Sequence, residues 1–263
     1  MVEKNLHVVY RISDKGNPKL KLANASKWDC LLNAVQEFGA ENFHVIADNC
    51  TDATLAALKS TGLNMEITSN GNVGTCRHIF NEVINRYAPE DFLYLLEDDY
   101  LHLPGSRQAL LEGLEIADYV TLYDHPDMYH PPGMTPNLFS RGDRPKSTIY
   151  LTAHRHWRTI PSTTMTFAAK VKTLIEDRPF WLRCCEGRKI PFEQIAWVPI
   201  TKQEDLDDVK FFAENHWDIM VMLMFENFLA PERRKKTLIS ALPGMATHTE
   251  TAYLAPLIDW SKV

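Results

Sequence analysis

Cysteine is sparse and unpatterned in this chain. Its five cysteines, Cys30, Cys50, Cys76, Cys184 and Cys185, form no CxxC pair and leave an odd count. That removes a disulfide framework and a spaced zinc cluster from consideration, and reduced thiols in a cytoplasm are the expectation. Positive charge is not in excess either. Lys and Arg number 28 against 34 Asp and Glu, for a net charge of −6, so no overall field exists to collect nucleic acid or anionic lipid. No apolar run approaches a membrane span, and "MVEKNLHVVY" lacks a basic segment followed by an apolar signal core. A soluble, cytoplasmic protein without a transmembrane segment is expected. Neither GxxxxGK[ST] nor GxGxxG occurs, which rejects both of those phosphate loops. Repeats and low-complexity stretches are also missing.

What is there suits one large folded unit. The 263 residues are 45% hydrophobic, enough for a substantial core. Strand and helix patterns alternate through the first half. "LHVVYRI" (6–12) reads as a strand and 25–39 as a helix, with Ser26 as N-cap and Gly39 as stop. "FHVIA" (43–47) precedes a helix over 51–62, and "MEIT" (65–68) precedes one over 74–88. "FLYLL" (92–96), a helix over 104–117 and "YVTLY" (119–123) follow. Such alternation predicts an α/β fold with a mostly parallel central sheet flanked by helices. "FLYLL", apolar throughout, reads as a central strand covered on both faces.

Residues 124–162 break the pattern. They are rich in proline, histidine and arginine and carry little periodicity beyond a strand at 148–152, which reads as a functional loop. A strand at 163–169, a helix at 170–178 and an amphipathic helix over 207–229 follow, and "TLISALPGMATHTETAYLAPLIDW" reads as a short helix with an irregular tail.

The chemistry concentrates where "FLYLL" runs into Glu97, Asp98 and Asp99. Ligands of open α/β sheets bind beyond the carboxyl ends of the strands, so this triplet would stand at the lip of such a crevice. Clustered carboxylates there are hard-cation ligands, and a phosphate-bearing ligand would complete the shell of a magnesium-type ion. The alternative is a solvated acidic turn capping the helix near Pro104. Asp48 ends the strand at 43–47 on the same sheet edge. "NGNVGTCRHIF" adds Gly71 and Gly74, which allow close backbone approach, and Arg77 in the next helix.

Four segments, "VVYRISD", "VIADNCTDAT", "NGNVGTCRHIFNEV" and "YLLEDD", stand in the order of the GT-A glycosyltransferases, and the chain resembles most the inverting family 2 over residues 6–125. The resemblance implies a GT-A-like fold whose residues 1–125 bind a nucleotide sugar and whose residues 126–263 bind the acceptor and supply catalysis. It implies a nucleoside-diphosphate sugar as donor, a UDP-sugar first, and a divalent metal, Mn2+ or Mg2+. Tyr10, Arg11 and Asp14 would line the base and ribose pocket, Asp48 would hold base or ribose, and Arg77 would lie near the diphosphate. Glu97 and Asp98 take the first positions of the DxD motif, Glu97 departing from its aspartate, and Asp99 would bind the metal with His248 as a further ligand. Asp218 would be the catalytic base, with Glu204 and Asp205 competing for that role. "HRHWR" (154–158) would grip acceptor or diphosphate, and Arg141, Arg144, Lys146, Arg155 and Arg158 could form a local basic groove. The acceptor, whether glycan, lipid-linked sugar, protein or nucleic acid, is left open. So are a sugar-nucleotide nucleotidyltransferase and a non-catalytic binding relative. The former normally places a glycine-rich basic loop after the first strand, where this chain reads "YRISDKGNPK" with one glycine.

Overall fold

The structure is a computed structural model describing residues 5–16, 19–129, 147–185, 196–197, 200–201 and 236–263. The helix expected over 207–229, the base candidates Asp218, Glu204 and Asp205, and the basic residues Arg141, Arg144 and Lys146 lie outside the described residues.

The first half folds as the sequence pattern dictates. Strand β1 (Leu6–Ser13) is followed by helix α1 (Lys27–Phe38), β2 (Phe43–Asp48), α2 (Asp52–Ser60), β3 (Asn64–Thr68) and α3 (Gly71–Asn81). Then come β4 (Phe92–Glu97), β5 (Tyr100–His102), α4 (Ser106–Ile116) and β6 (Tyr119–Thr121). Ser26 caps α1 in a reciprocal box. Its hydroxyl accepts from the Asp29 N–H, and Asp29 Oδ2 accepts from the Ser26 N–H at 2.9 Å. Gly39 ends the helix at φ +83°, a left-handed value that costs glycine little.

The second half contributes β7 (Ile149–Leu151), β8 (His156–Thr159), β9 (Phe167–Lys170), α5 (Val171–Cys184), β10 (Leu238–Leu242) and β11 (Ala246–His248). Among the described residues nine strands form one sheet in the order β3-β2-β1-β4-β9-β6-β10-β8-β7, in which β8 and β9 run against the other seven. This is the expected α/β fold with a mostly parallel sheet. Both halves of the chain build it, since β9 separates β4 from β6.

Strand alternation sorts the core into two layers. Val8, Tyr10 and Ile12 of β1 and Phe92, Tyr94 and Leu96 of β4 pack with α1 and α4. Val9, Leu93 and Leu95 pack on the other face with α3 and α5. β4 lies between β1 and β9 and is buried from Phe92 to Leu96, as its apolar run predicts.

Four elements depart from expectation, the first being β5, a strand that the sequence pattern does not announce. α3 begins at Gly71, ahead of the predicted start at 74, because the Asp48 carboxylate accepts the N–H groups of Asn70 (2.6 Å) and Gly71 (3.2 Å) at its N-terminus. α5 runs through Pro179 to Cys184 instead of stopping at 178. The buried Trp181 ring, stacked on Phe80 at 5.1 Å and on Phe167 at 5.2 Å, holds the turn that the proline weakens. The C-terminal segment is not a short helix. "LISAL" is strand β10, buried between β6 and β8, and Ala246–His248 is β11, paired antiparallel with β5. A short apolar run reads alike as buried helix and buried strand, and here the sheet decides.

Candidate functional site

A cleft of about 600 Å³ opens at the carboxyl ends of β1, β2 and β4. Arg11, Ser13, Asp14, Lys15, Asp48 and Asn49 line it together with Asn72 and the triplet Glu97, Asp98 and Asp99. Lys19 and Lys21, from the segment between β1 and α1, and Lys27, the first residue of α1, complete its wall. This is the crevice that parallel α/β topology provides.

The carboxylates divide by task. Asp48 is 1% exposed and saturated by donors. Besides Asn70 and Gly71, its oxygens accept from the Thr68 hydroxyl at 3.0 Å and the Asn49 amide at 3.1 Å. Burial pushes its pKa up, and these donors more than reverse that, leaving it below the usual carboxylate range. Asp14 accepts from the Lys27 ammonium and from the Thr51 N–H at 2.6 Å, tying the β1 turn to α2. Its pKa is lowered against a desolvation that would raise it, chiefly by Lys27.

Glu97 faces Arg11, with Nη1 to Oε1 at 3.4 Å, and Arg11 also donates to Asn72 Oδ1 at 2.6 Å. The register explains the pair, because Arg11 lies opposite Glu97 in the β1–β4 ladder. Asp98 Oδ2 accepts the Ser13 N–H at 2.9 Å. Its pKa is raised by burial first and then by the neighbouring Asp99 charge.

Asp99 meets a residue from the far end of the chain. Pairing of β11 with β5 sets His248 opposite Tyr100, and His248 Nε2 lies 3.1 Å from Asp99 Oδ2. Lys21 Nζ is 3.5 Å from the same oxygen. Burial alone would raise the Asp99 pKa, but the imidazole and the ammonium groups hold it low.

Two expected binding residues lie elsewhere. Tyr10 is fully buried, its ring 6.0 Å from Phe43, because it sits on the α1 face of β1 while Arg11 points to the other. It therefore does not line a base pocket. Arg77 stands on the exposed face of α3, outside the cleft wall. The "HRHWR" cluster is also dispersed, over β8 and the turn before it. Trp157 is core, Arg158 pairs with the buried Asp124 at 2.6 Å, and His154 meets Glu112 at 2.5 Å.

Asp99 and His248 are brought together, yet their surroundings do not fit a divalent ion. His248 Nδ1 accepts the Glu250 N–H at 3.3 Å, and its Nε2 already faces Asp99 Oδ2 at 3.1 Å and the Lys19 ammonium at 3.3 Å. Two ammonium groups, those of Lys19 and Lys21, occupy the space against the pair. Among the described residues no group of three or more His, Cys, Asp or Glu is arranged to hold a metal.

The lysines are what sequence reasoning missed. "KGNPKLKL" carries the signal as a lysine-dense run directly after the first strand.

No family model matches the sequence, and no curated protein matches it. Solved structures that resemble the chain include CMP:2-keto-3-deoxy-manno-octonic acid synthetase complexed with CTP, at TM-score 0.45 and 11% identity over 92% of each chain. TarS 1–349 of S. aureus aligns at TM-score 0.42 and 12% identity, over 86% of this chain and 72% of that one. The 4-diphosphocytidyl-2C-methyl-D-erythritol synthase of Anaerococcus prevotii aligns at TM-score 0.41 and 9% identity, over 90% and 87%. At this level of similarity the assignment of fold rests on the strand order itself. Among the described residues no helix is long and apolar enough to cross a membrane.

Proposed function

We propose that the chain is a glycosyltransferase taking its sugar from a nucleoside-diphosphate sugar, a UDP-sugar first, and passing it to an acceptor hydroxyl with inversion. One observation carries this reading. The carboxylate triplet ending β4 stands in the strand-end cleft beside the β1 turn, and β11 delivers His248 against its last member. The donor would lie along the wall formed by residues 11–15, 48–49 and 97–99. The cations of that wall would meet the charge that develops on the departing diphosphate, where fixed charges in a partly dry cleft act with little reorganisation. Residues 1–125 would hold the donor, and 126–263 the acceptor and the base, assigned to Asp218 with Glu204 and Asp205 as alternatives. The transition state would be oxocarbenium-like, so positioning and leaving-group stabilisation carry most of the rate.

A second reading has its own observation. Lys15, Gly16, Lys19 and Lys21 form a basic loop after β1 that lines the cleft, as nucleotidyl transfer from a nucleoside triphosphate requires. Incubating the full chain with a panel of nucleotide sugars, and separately with nucleoside triphosphates plus sugars or sugar phosphates, decides between them. Release of nucleoside diphosphate, reduced about 100-fold in Asp99→Ala by loss of positioning, supports glycosyl transfer. Release of pyrophosphate supports nucleotidyl transfer and overturns the first reading.

A further inference from the structure

The segment carrying Lys19 and Lys21 is laced to the chain that follows β11. Leu22 N–H donates to the Thr249 carbonyl at 3.0 Å, Thr251 N–H donates to the Leu20 carbonyl at 2.9 Å, and Lys21 bridges antiparallel to Glu250. In an extended stretch alternate residues share a side, so Lys19 and Lys21 point together into the cleft while Leu20, between them, is 78% exposed. Their heads converge on the residues expected to bind metal. Lys21 Nζ is 3.5 Å from Asp99 Oδ2, and Lys19 Nζ is 3.3 Å from His248 Nε2 and 3.5 Å from Glu250 Oε2. The backbone pairing turns both lysine side chains toward this point.

Like charges this close repel unless anions lie between them. A divalent ion on Asp99 and His248 would stand within a few ångströms of both ammonium groups, a repulsion that part-buried surroundings screen poorly. Of the other carboxylates, Asp14 is paired with Lys27, Glu97 with Arg11, Asp48 is saturated by its donors, and Asp98 accepts the Ser13 N–H. An ammonium offers three donors, and a carboxylate occupies only part of that capacity.

We propose that Lys19 and Lys21 take the place of a divalent cation in this cleft, and that it binds the phosphates of a nucleotide without metal. The proposal rests on the reading of the cleft as a nucleotide site. Asp99 positions Lys21 and Glu250 positions Lys19, and the phosphate oxygens take the donors that face the opening. Lysine suits this task as a compact, strongly charged head with rotatable donors.

The test is calorimetric titration of the full chain with inorganic pyrophosphate and with UDP in the presence of EDTA. Saturable binding is expected there. Lys19→Gln and Lys21→Gln should each weaken it about tenfold, and the double variant about 100-fold, whereas Lys21→Arg should retain it. Lys59→Gln, on the exposed face of α2, serves as the control without effect. Unliganded melting temperatures near that of the unmodified chain establish that the Gln variants fold. Pyrophosphate binding that needs Mn2+, saturable binding of Mn2+ alone that Asp99→Asn abolishes, or undiminished binding in the Gln variants overturns the proposal. The two readings fail separately. Mn2+-dependent turnover of a nucleotide sugar would sink the lysine assignment and leave glycosyl transfer standing. EDTA-resistant pyrophosphate binding without release of any nucleoside diphosphate from nucleotide sugars would do the reverse.

Discussion

Asp48 shows that a carboxylate at a strand end can be architectural. It sits in the cleft wall, yet its oxygens are taken by Thr68, Asn49, Asn70 and Gly71, and through the last two it sets the start of α3. Asp48→Ala leaves buried donors unmet and removes the charge at a helix N-terminus, for a loss of about 2–3 kcal/mol. Asp48→Asn, which keeps one acceptor oxygen, should lose about 1 kcal/mol. Urea midpoints at unchanged slope measure both, and hydrogen exchange of the first α3 amides should accelerate in each. A variant as stable as the parent would show that water serves those N–H groups equally well.

At the scale of elements, helix-on-sheet contact is as close at α4 as the chemistry of glycine allows. A Cβ added at Gly113 would lie 2.8 Å from Val120 Cγ1 and 2.9 Å from the Trp157 ring, both in the sheet core. Gly113→Ala therefore overpacks a rigid contact, and the expected cost is about 1–3 kcal/mol despite alanine's better helix propensity. Chemical denaturation reads this directly, and a stabilised variant would mean that α4 can shift without cost. Tertiary packing overrides local preference at α5 too, where Trp181 between Phe80 and Phe167 carries the helix past Pro179.

For the whole molecule, buried histidine governs the response to mild acid. His102 is fully buried, its Nε2 is 2.9 Å from the Tyr94 hydroxyl, and burial pushes its pKa down to about 3. An unfolded histidine titrates near 6.5. The folded state thus disfavours the proton, so this stability is fully present above about pH 6.5 and is lost as pH falls toward 3, at up to about 1.4 kcal/mol per pH unit. His44, also lowered chiefly by burial, adds to the slope with the same sign. Between about pH 6.5 and 4.5, above the carboxylate range, His102→Gln should flatten most of the dependence of the urea midpoint on pH. An unchanged slope in that variant would place the acid sensitivity elsewhere.

The sequence by itself determined the alternation of β1 through β4 and the helix α4, because period-2 and period-3.6 apolar patterns, the Ser26 cap and the Gly39 stop are local physics. It also located the acidic lip of the cleft, since a continuously apolar strand must be central and its carboxyl end must face the crevice. Only the tertiary structure decided which of those residues share a site. Strand alternation removed Tyr10 to the core, and the exposed face of α3 took Arg77 away from the cleft wall. Pairing of β5 with β11 brought His248 to Asp99, and pairing of residues 20–22 with 249–251, across more than two hundred residues of chain, brought Lys19 and Lys21 to the same point. No local pattern encodes such contacts, because they arise when two extended segments satisfy each other's backbone groups.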